Sequence, residues 1–294
     1  MEAAPDSPIG RARLALEGLS VGDAFGERFF AAELAEDLAR GGRPLPDGPW
    51  TWTDDTAMAL GIFEVLREDG EIHPDRLAAV FSRDHAASPG RGYGPGAKRL
   101  LEAVAEGGDW RELAGAAFGG AGSMGNGGAM RAAPLGAFFA GSREALREQA
   151  DRSARVTHAH TEGRAGAIAV AAAAAAARDP EPDLLGAALA ATPEGPLRRG
   201  LETAAALPPV APIGQAVATL GNGSQLLAAD TVPFALWCAA RHLGDFTETL
   251  WATVSGGGDR DTTCAIAGGV AALAVGPEGI PEAWRSRREA LPTP

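Results

Sequence analysis

Two short segments concentrate oxygen donors of the kind that bind hard cations: Thr53-Asp54-Asp55-Thr56 and Asp259-Arg260-Asp261-Thr262. Each stands immediately before an apolar helical stretch, so one reading is helix capping, in which Thr and Asp accept from free amides of the first turn. A cap needs one oxygen, however. Adjacent carboxylates flanked by hydroxyls repel one another unless something positive lies between them. Carboxylates with hydroxyl oxygens form the ligand set of Mg²⁺ or Mn²⁺ rather than of zinc or copper. Four carboxylates suit two ions, and ion pairs of this type activate water in hydrolytic reactions. Gly256, Gly257 and Gly258 precede the second segment and let the chain bend tightly there.

The stretch from Ser123 to Arg131 supplies a different chemistry. Gly125, Gly127 and Gly128 around Asn126 free the backbone to present amides to an anion, with Met130 and Arg131 following. No Gly-Lys-Ser/Thr follows and no strand precedes, so neither a Walker loop nor a dinucleotide fingerprint is present. His158 and His160 are two residues apart and cannot share one helix face, and no further ligands complete a zinc site around them. Tyr93 is the only tyrosine and lies in a Gly/Pro loop. A role beside a ligand and a role in loop packing are both open for it. Trp52, Trp237 and Trp251 read as core residues, and His73, His85, His160 and His242 as solvated or structural.

These residues need a scaffold, and the sequence points to an all-α one. Alanine dominates, β-branched residues are sparse, and strand alternation is hard to find. Helical stretches are expected at 11–22, 56–68, 74–86, 96–106, 110–117, 143–155, 162–177, 226–242, 246–255 and 262–275. Ala165 to Ala177 bears almost no large or polar side chain on any face, which places it at the centre of the globule. Loops are expected at 41–49, 88–96, 119–128 and 208–214, where a helical scaffold would carry its site. With no repeat and no long linker, 1–294 reads as one domain.

Composition narrows the partners. The net charge of −12 disfavours a nucleic-acid backbone or anionic membrane as the main partner. The longest apolar run is too short for a bilayer span of about 20 residues. No signal peptide is evident at the N-terminus, and Cys238 and Cys264 form no CxxC pair, so a reducing cytoplasm is the expected location.

The acidic segments also belong to an ordered series. It begins with Gly18-Leu19-Ser20-Val21-Gly22-Asp23-Ala24-Phe25-Gly26, then Thr53-Asp54-Asp55-Thr56, Arg91-Gly92-Tyr93-Gly94-Pro95-Gly96 and Gly125-Asn126-Gly127-Gly128-Ala129-Met130-Arg131. Thr157-His158, Thr231-Val232-Pro233 and Gly257-Gly258-Asp259-Arg260-Asp261-Thr262 complete it. In these motifs and over nearly its whole length the chain resembles the ADP-ribosylglycohydrolase family, which includes the dinitrogenase-reductase-activating glycohydrolases. The resemblance implies an all-α fold with two Mg²⁺ or Mn²⁺ ions at the base of a cleft, held by Thr53, Asp54, Asp55, Asp259, Asp261 and Thr262. It implies that the ions face the distal ribose of ADP-ribose, whose anomeric bond to a modified group is hydrolysed. It places the Gly125–Gly128 loop with Met130 at the diphosphate, His158 at a ribose or phosphate oxygen, and Tyr93 near the ligand.

Cleavage at an anomeric carbon passes through an oxocarbenium-like state and calls for a carboxylate base. Asp54 or Asp55 could serve. Many family members carry a glutamate seven positions after the Asp of the Gly-Asp motif; counted from Asp23 that position is Phe30, and the nearby acid is Glu27. The expected activity is release of ADP-ribose from a modified protein side chain. The alternatives are an ADP-ribose-binding protein without turnover and a two-metal hydrolase of another ribosyl or nucleotide compound.

Overall fold

The computed structural model describes residues 4–292, and among them the regular structure is helical, with no strand longer than an isolated bridge. Two long helices form the axis of the site, Pro8–Arg28 and Arg260–Val275, and they are more extensively packed on each other than any other pair. The reason lies in small residues. A Cβ built on Gly22 would stand 2.1 Å from the carbonyl oxygen of Cys264, and one on Gly26 would stand 2.3 Å from that of Arg260. One on Gly18 would lie 2.3 Å from the Cβ of Ala272. Glycines four apart share one helix face, so this ridge lets the two backbones touch. The sequence pattern predicts that the first helix ends at Gly22. The helix runs on to Arg28 because Gly22 and Gly26 serve the contact between helices and do not terminate one.

The alanine-rich helix, Thr161–Ala176, is buried along nearly its whole length. It packs against Ala133–Phe138, Arg143–Arg155, Leu184–Ala191, Ala228–Arg241 and Arg260–Val275. This is the central position that its composition predicts. The aromatic residues gather elsewhere. Phe25, Phe29, Trp50, Trp251 and Trp284 meet below the ends of the two axial helices, with Phe25 5.0 Å from Trp251 and 4.5 Å from Trp284 between ring centroids. Each such buried ring contributes about 2 kcal/mol through area alone, so the helix ends that carry acid rest on a firm base.

The other expected helices are present to within a few residues. Helices at Ala32–Ala39, Leu184–Ala191, Pro196–Ala206 and Ile213–Leu220 fall where none was expected. No helix among the described residues is long and apolar enough to cross a membrane.

Candidate metal and substrate site

The first acidic segment opens the helix Asp54–Asp69. Thr53 caps it, its hydroxyl accepting from the amide of Asp55 at 3.3 Å. The carboxylates do not cap. Asp259 likewise precedes Arg260–Val275 without a side-chain capping bond. The capping reading therefore accounts for Thr53 and leaves Asp54, Asp55, Asp259 and Asp261 unexplained.

A fifth carboxylate, Asp23, organises the first segment. It is fully buried on the first helix and accepts four hydrogen bonds: from the amides of Thr53 and Thr56 at 2.9 and 3.1 Å, and from their hydroxyls at 2.9 and 2.5 Å. This carboxylate clamps the start of one helix to the side of another. From the other side, the Asp54 amide donates to the carbonyl of Arg91 at 2.7 Å. The Arg91 guanidinium lies 3.3 Å above the Trp52 ring and pairs with both carboxylate oxygens of Glu289 at 2.7 Å. Thus the C-terminal segment braces the first acidic turn.

The second segment is shaped as its glycines predict. Gly257 and Gly258 are left-handed, with φ of 68° and 65°. A Cβ on Gly258 would stand 2.3 Å from the carbonyl oxygen of Asn222, which also accepts from the Asp259 amide at 3.1 Å. Asn126 reaches the same place: its side-chain amide donates to Asp259 at 2.6 Å and to the Thr231 hydroxyl at 3.0 Å.

The close packing of the axial helices sets the two segments face to face. The hydroxyl of Thr262 lies 3.5 Å from a carboxylate oxygen of Asp55. One buried oxygen on Asp55 and one on Asp261 have no hydrogen-bond partner. Burial, then the charges of Asp261 and Asp23, pushes the Asp55 carboxyl well above the usual range. Burial and Asp259 do the same to Asp261. Burial, followed by Asp23, raises Asp54 to about 7. Asp259 is also raised, by burial. Buried, mutually repelling carboxylates with free oxygens are costly unless a cation compensates them. Among the described residues no group of three or more His, Cys, Asp or Glu side chains stands ready-made around an ion. The oxygens that meet here belong to carboxylates and to the hydroxyls of Thr53 and Thr262.

Glu27 lies one turn after Asp23 on the first helix and so shares its face. Burial and the neighbouring Asp23 raise its carboxyl. Phe30 lies beyond the helix end, 49 % exposed, with its ring 6.0 Å from the Arg260 guanidinium. Glu27 is thus near enough to Asp23 to be raised by it and near enough to Asp261 to raise that carboxyl, while Phe30 lies against Arg260 of the second segment.

The Gly-rich loop forms a single 3-10 turn, Asn126–Gly128. None of its glycines adopts the left-handed conformation. They are small because other atoms press on them: a Cβ on Gly127 would lie 3.1 Å from Cε1 of His158, and one on Gly128 would lie 3.2 Å from the carbonyl oxygen of Gly163. Met130 is buried in the core. Tyr93 is also buried, edge-on to His85 at 4.8 Å, so loop packing occupies its ring. His160 caps the alanine-rich helix, accepting from Glu162 at 3.1 Å.

The sequence shows Asp23 and Arg131 within motifs but assigns them no role, and it does not mark Glu289 at all. A lone acid on an otherwise small and apolar helix face, Gly18 to Gly26, was the available signal for Asp23. Nothing local marks Glu289, because its partner is 198 residues away.

Comparison with known proteins identifies the family of the chain. The family model for ADP-ribosylglycohydrolase matches residues 4–292. The human protein named ADP-ribosylhydrolase ARH3 is 30% identical over 96% of the chain and 90% of its own length. The mouse protein of the same name is 30% identical over 96% of the chain and 88% of its own. A solved structure described as an ADP-ribosylglycohydrolase-related protein complex superposes with a TM-score of 0.69 at 30% identity, covering 96% of this chain and 93% of that one. With the axial helices, the two acidic turns and the glycine loop in their order, the chain belongs to the ADP-ribosylglycohydrolase family.

Proposed function

We propose that the protein is a divalent-metal-dependent hydrolase that cleaves the bond between the anomeric carbon of ADP-ribose and a modified protein side chain. The observation that carries this reading is that Asp55 and Asp261, from distant segments that meet at Thr262, each bury a carboxylate oxygen without a partner. Family membership supports the ADP-ribosyl substrate class. Thr53, Asp54, Asp55, Asp259, Asp261 and Thr262 would hold two Mg²⁺ or Mn²⁺ ions. Bound ions would offset the carboxylate repulsion, orient the ribose hydroxyls and make water easier to deprotonate.

The protein's own groups supply the rest. Glu27, raised by burial and by Asp23, is the acid placed to take a proton from attacking water. Asn126 holds Asp259 and fixes the distance between the glycine loop and the acidic turn. Asp23 is a positioning residue, saturated by its four donors.

Incubation of the purified protein with Mg²⁺ or Mn²⁺ and arginine-, serine- or nucleic-acid-linked ADP-ribose tests this directly. Free ADP-ribose should appear with at least one of them and vanish on chelation. The reading is wrong if no linkage is cut. The residue at position 30 favours one competing outcome, binding without cleavage, which calorimetry with ADP-ribose would reveal as affinity without turnover. Glu27→Gln separates the two: we expect a kcat loss of about 10²- to 10⁴-fold with the metal-induced thermal shift intact. Full turnover in that variant would remove Glu27 from the reaction.

A further inference from the structure

Arg131 is 1 % exposed and, among the described residues, has no carboxylate in hydrogen-bonding contact. Its guanidinium lies 4.7 Å above the Phe81 ring, and it donates to the carbonyl of Ser153 at 3.1 Å and to the Thr157 hydroxyl at 2.9 Å. That hydroxyl lies 2.7 Å from Nδ1 of His158. The far nitrogen of the same ring, Nε2, abuts the glycine loop, 3.3 Å from where a Cβ on Gly125 would stand. His158 is 7 % exposed, and Nε2 has no hydrogen-bond partner among the described residues.

The donor inventory fixes the direction of this chain. A guanidinium only donates, so the Thr157 oxygen accepts from Arg131 and its single proton remains to be given. Were Nδ1 to carry a proton, the Thr157 oxygen would accept twice and its own hydrogen would have no acceptor. An imidazolium is disfavoured independently: burial and the Arg131 charge push His158 down to about 3. The hydroxyl therefore donates to Nδ1, and the ring proton resides on Nε2.

We propose that Arg131 and Thr157 are positioning residues that lock His158 as the Nε2–H tautomer and aim that proton, as a hydrogen-bond donor, at an anionic oxygen of the ligand held by the Gly125–Gly128 loop. The assignment of that oxygen to ADP-ribose rests on the proposed function; the tautomer does not. A neutral donor suits this place. It can bind a phosphate oxygen without placing a second full charge beside Arg131, and its protonation does not change across physiological pH.

Nitrogen NMR of histidine-labelled protein reads the tautomer without turnover. The parent is expected to show His158 with unprotonated Nδ1 and protonated Nε2, unchanged between about pH 5 and 8. Thr157→Val, nearly isosteric, should release the lock and give a mixture of tautomers, and Thr157→Ser should restore the parent pattern. By calorimetry, Thr157→Val should weaken ADP-ribose binding by about tenfold, with Thr157→Ser within about twofold. In turnover, Thr157→Val should raise KM by a similar factor and leave kcat within about threefold.

A parent spectrum showing Nδ1–H or imidazolium at neutral pH would overturn the proposal, whatever the variants do. So would ADP-ribose affinity indifferent to Thr157→Val. If the parent has the expected tautomer but binds no ADP-ribose, the substrate reading fails, and the oxygen assigned to His158 fails with it.

Discussion

Asp55→Asn and Asp261→Asn are expected to abolish metal-dependent hydrolysis and, in metal-free buffer at neutral pH, to make the protein more stable than the parent. Both carboxylates are buried, both carry an oxygen without a partner, and each is repelled by the other. An amide of the same shape removes a charge that the metal-free fold must otherwise accommodate. The gain should be at least about 1 kcal/mol, or about 2–3 °C in melting temperature for a chain of this size. The parent should overtake the variants once Mg²⁺ is added. An ion that binds only the native state contributes about 2.7 kcal/mol at a hundred times its Kd, and the variants lack the site.

The same charges set a pH dependence. Asp54, Asp55, Asp259 and Asp261 all titrate higher in the folded protein than an ordinary carboxyl does, with Asp54 at about 7. Between the unfolded value of about 3.9 and these folded values, the native state holds more protons than the unfolded one. Stability without metal therefore falls as pH rises through that window; the Asp54 share is lost by about pH 7, and the share of Asp55 and Asp261, whose carboxyls lie well above the usual range, continues to be lost as pH rises further. Thermal melts with chelator from about pH 4 to 8 would show it, and saturating Mg²⁺ should flatten the curve at its neutral end. A metal-free parent that gains stability from pH 5 to 7, or an Asp261→Asn variant that keeps its Mg²⁺ shift, would show that the acidic cluster is not a cation site.

Much of this arrangement could be read from the chain. Paired carboxylates with hydroxyls ahead of two apolar helices are visible as a local pattern, and so is the buried position of an alanine helix with no polar face. The capping alternative could not be settled from sequence, because Thr53 does cap and its neighbours do not; only the partners of each oxygen separate them. The glycines of the loop suggest backbone freedom, yet Gly127 and Gly128 are small because His158 and Gly163 press on them. Such crowding is a tertiary fact. The bracing of Trp52 by Arg91 and Glu289, and the four donors converging on Asp23, depend on residues 30 to 198 positions apart. The helices missed between residues 184 and 220 are short and lie among Pro and Gly, which read as loop signals. Pro196 illustrates the ambiguity: it occupies the first turn of its helix, where its missing amide costs nothing.

Gly22→Ala is expected to be strongly destabilising for so small a change as one methyl group. Alanine is the better helix former by about 1 kcal/mol, so local propensity alone forecasts a gain. Packing reverses the sign. The added Cβ would stand 2.1 Å from the Cys264 carbonyl oxygen and 2.8 Å from its carbon, both backbone atoms of the partner helix that cannot rotate away. The two axial helices would have to separate along a ridge that also includes Gly18 and Gly26, loosening the aromatic base that holds Phe25. A cost of about 2–4 kcal/mol follows, at the upper end for overpacked cores, and should appear as a fall in the denaturation midpoint at unchanged slope. The functional consequence is larger still. Asp23 adjoins Gly22 on one helix and Asp261 lies one turn before Cys264 on the other, so separating the backbones draws apart the elements that hold the two acidic segments. Even under conditions where the variant remains folded, its Mg²⁺-induced thermal shift should be reduced at least about tenfold in apparent affinity. Gly115→Ala is the control: it is a helical position where a Cβ meets nothing within 4 Å, and there the propensity gain of about 0.5–1 kcal/mol should be realised. If Gly22→Ala stabilised the protein as Gly115→Ala does, the close contact of the axial helices would not be what brings the site together.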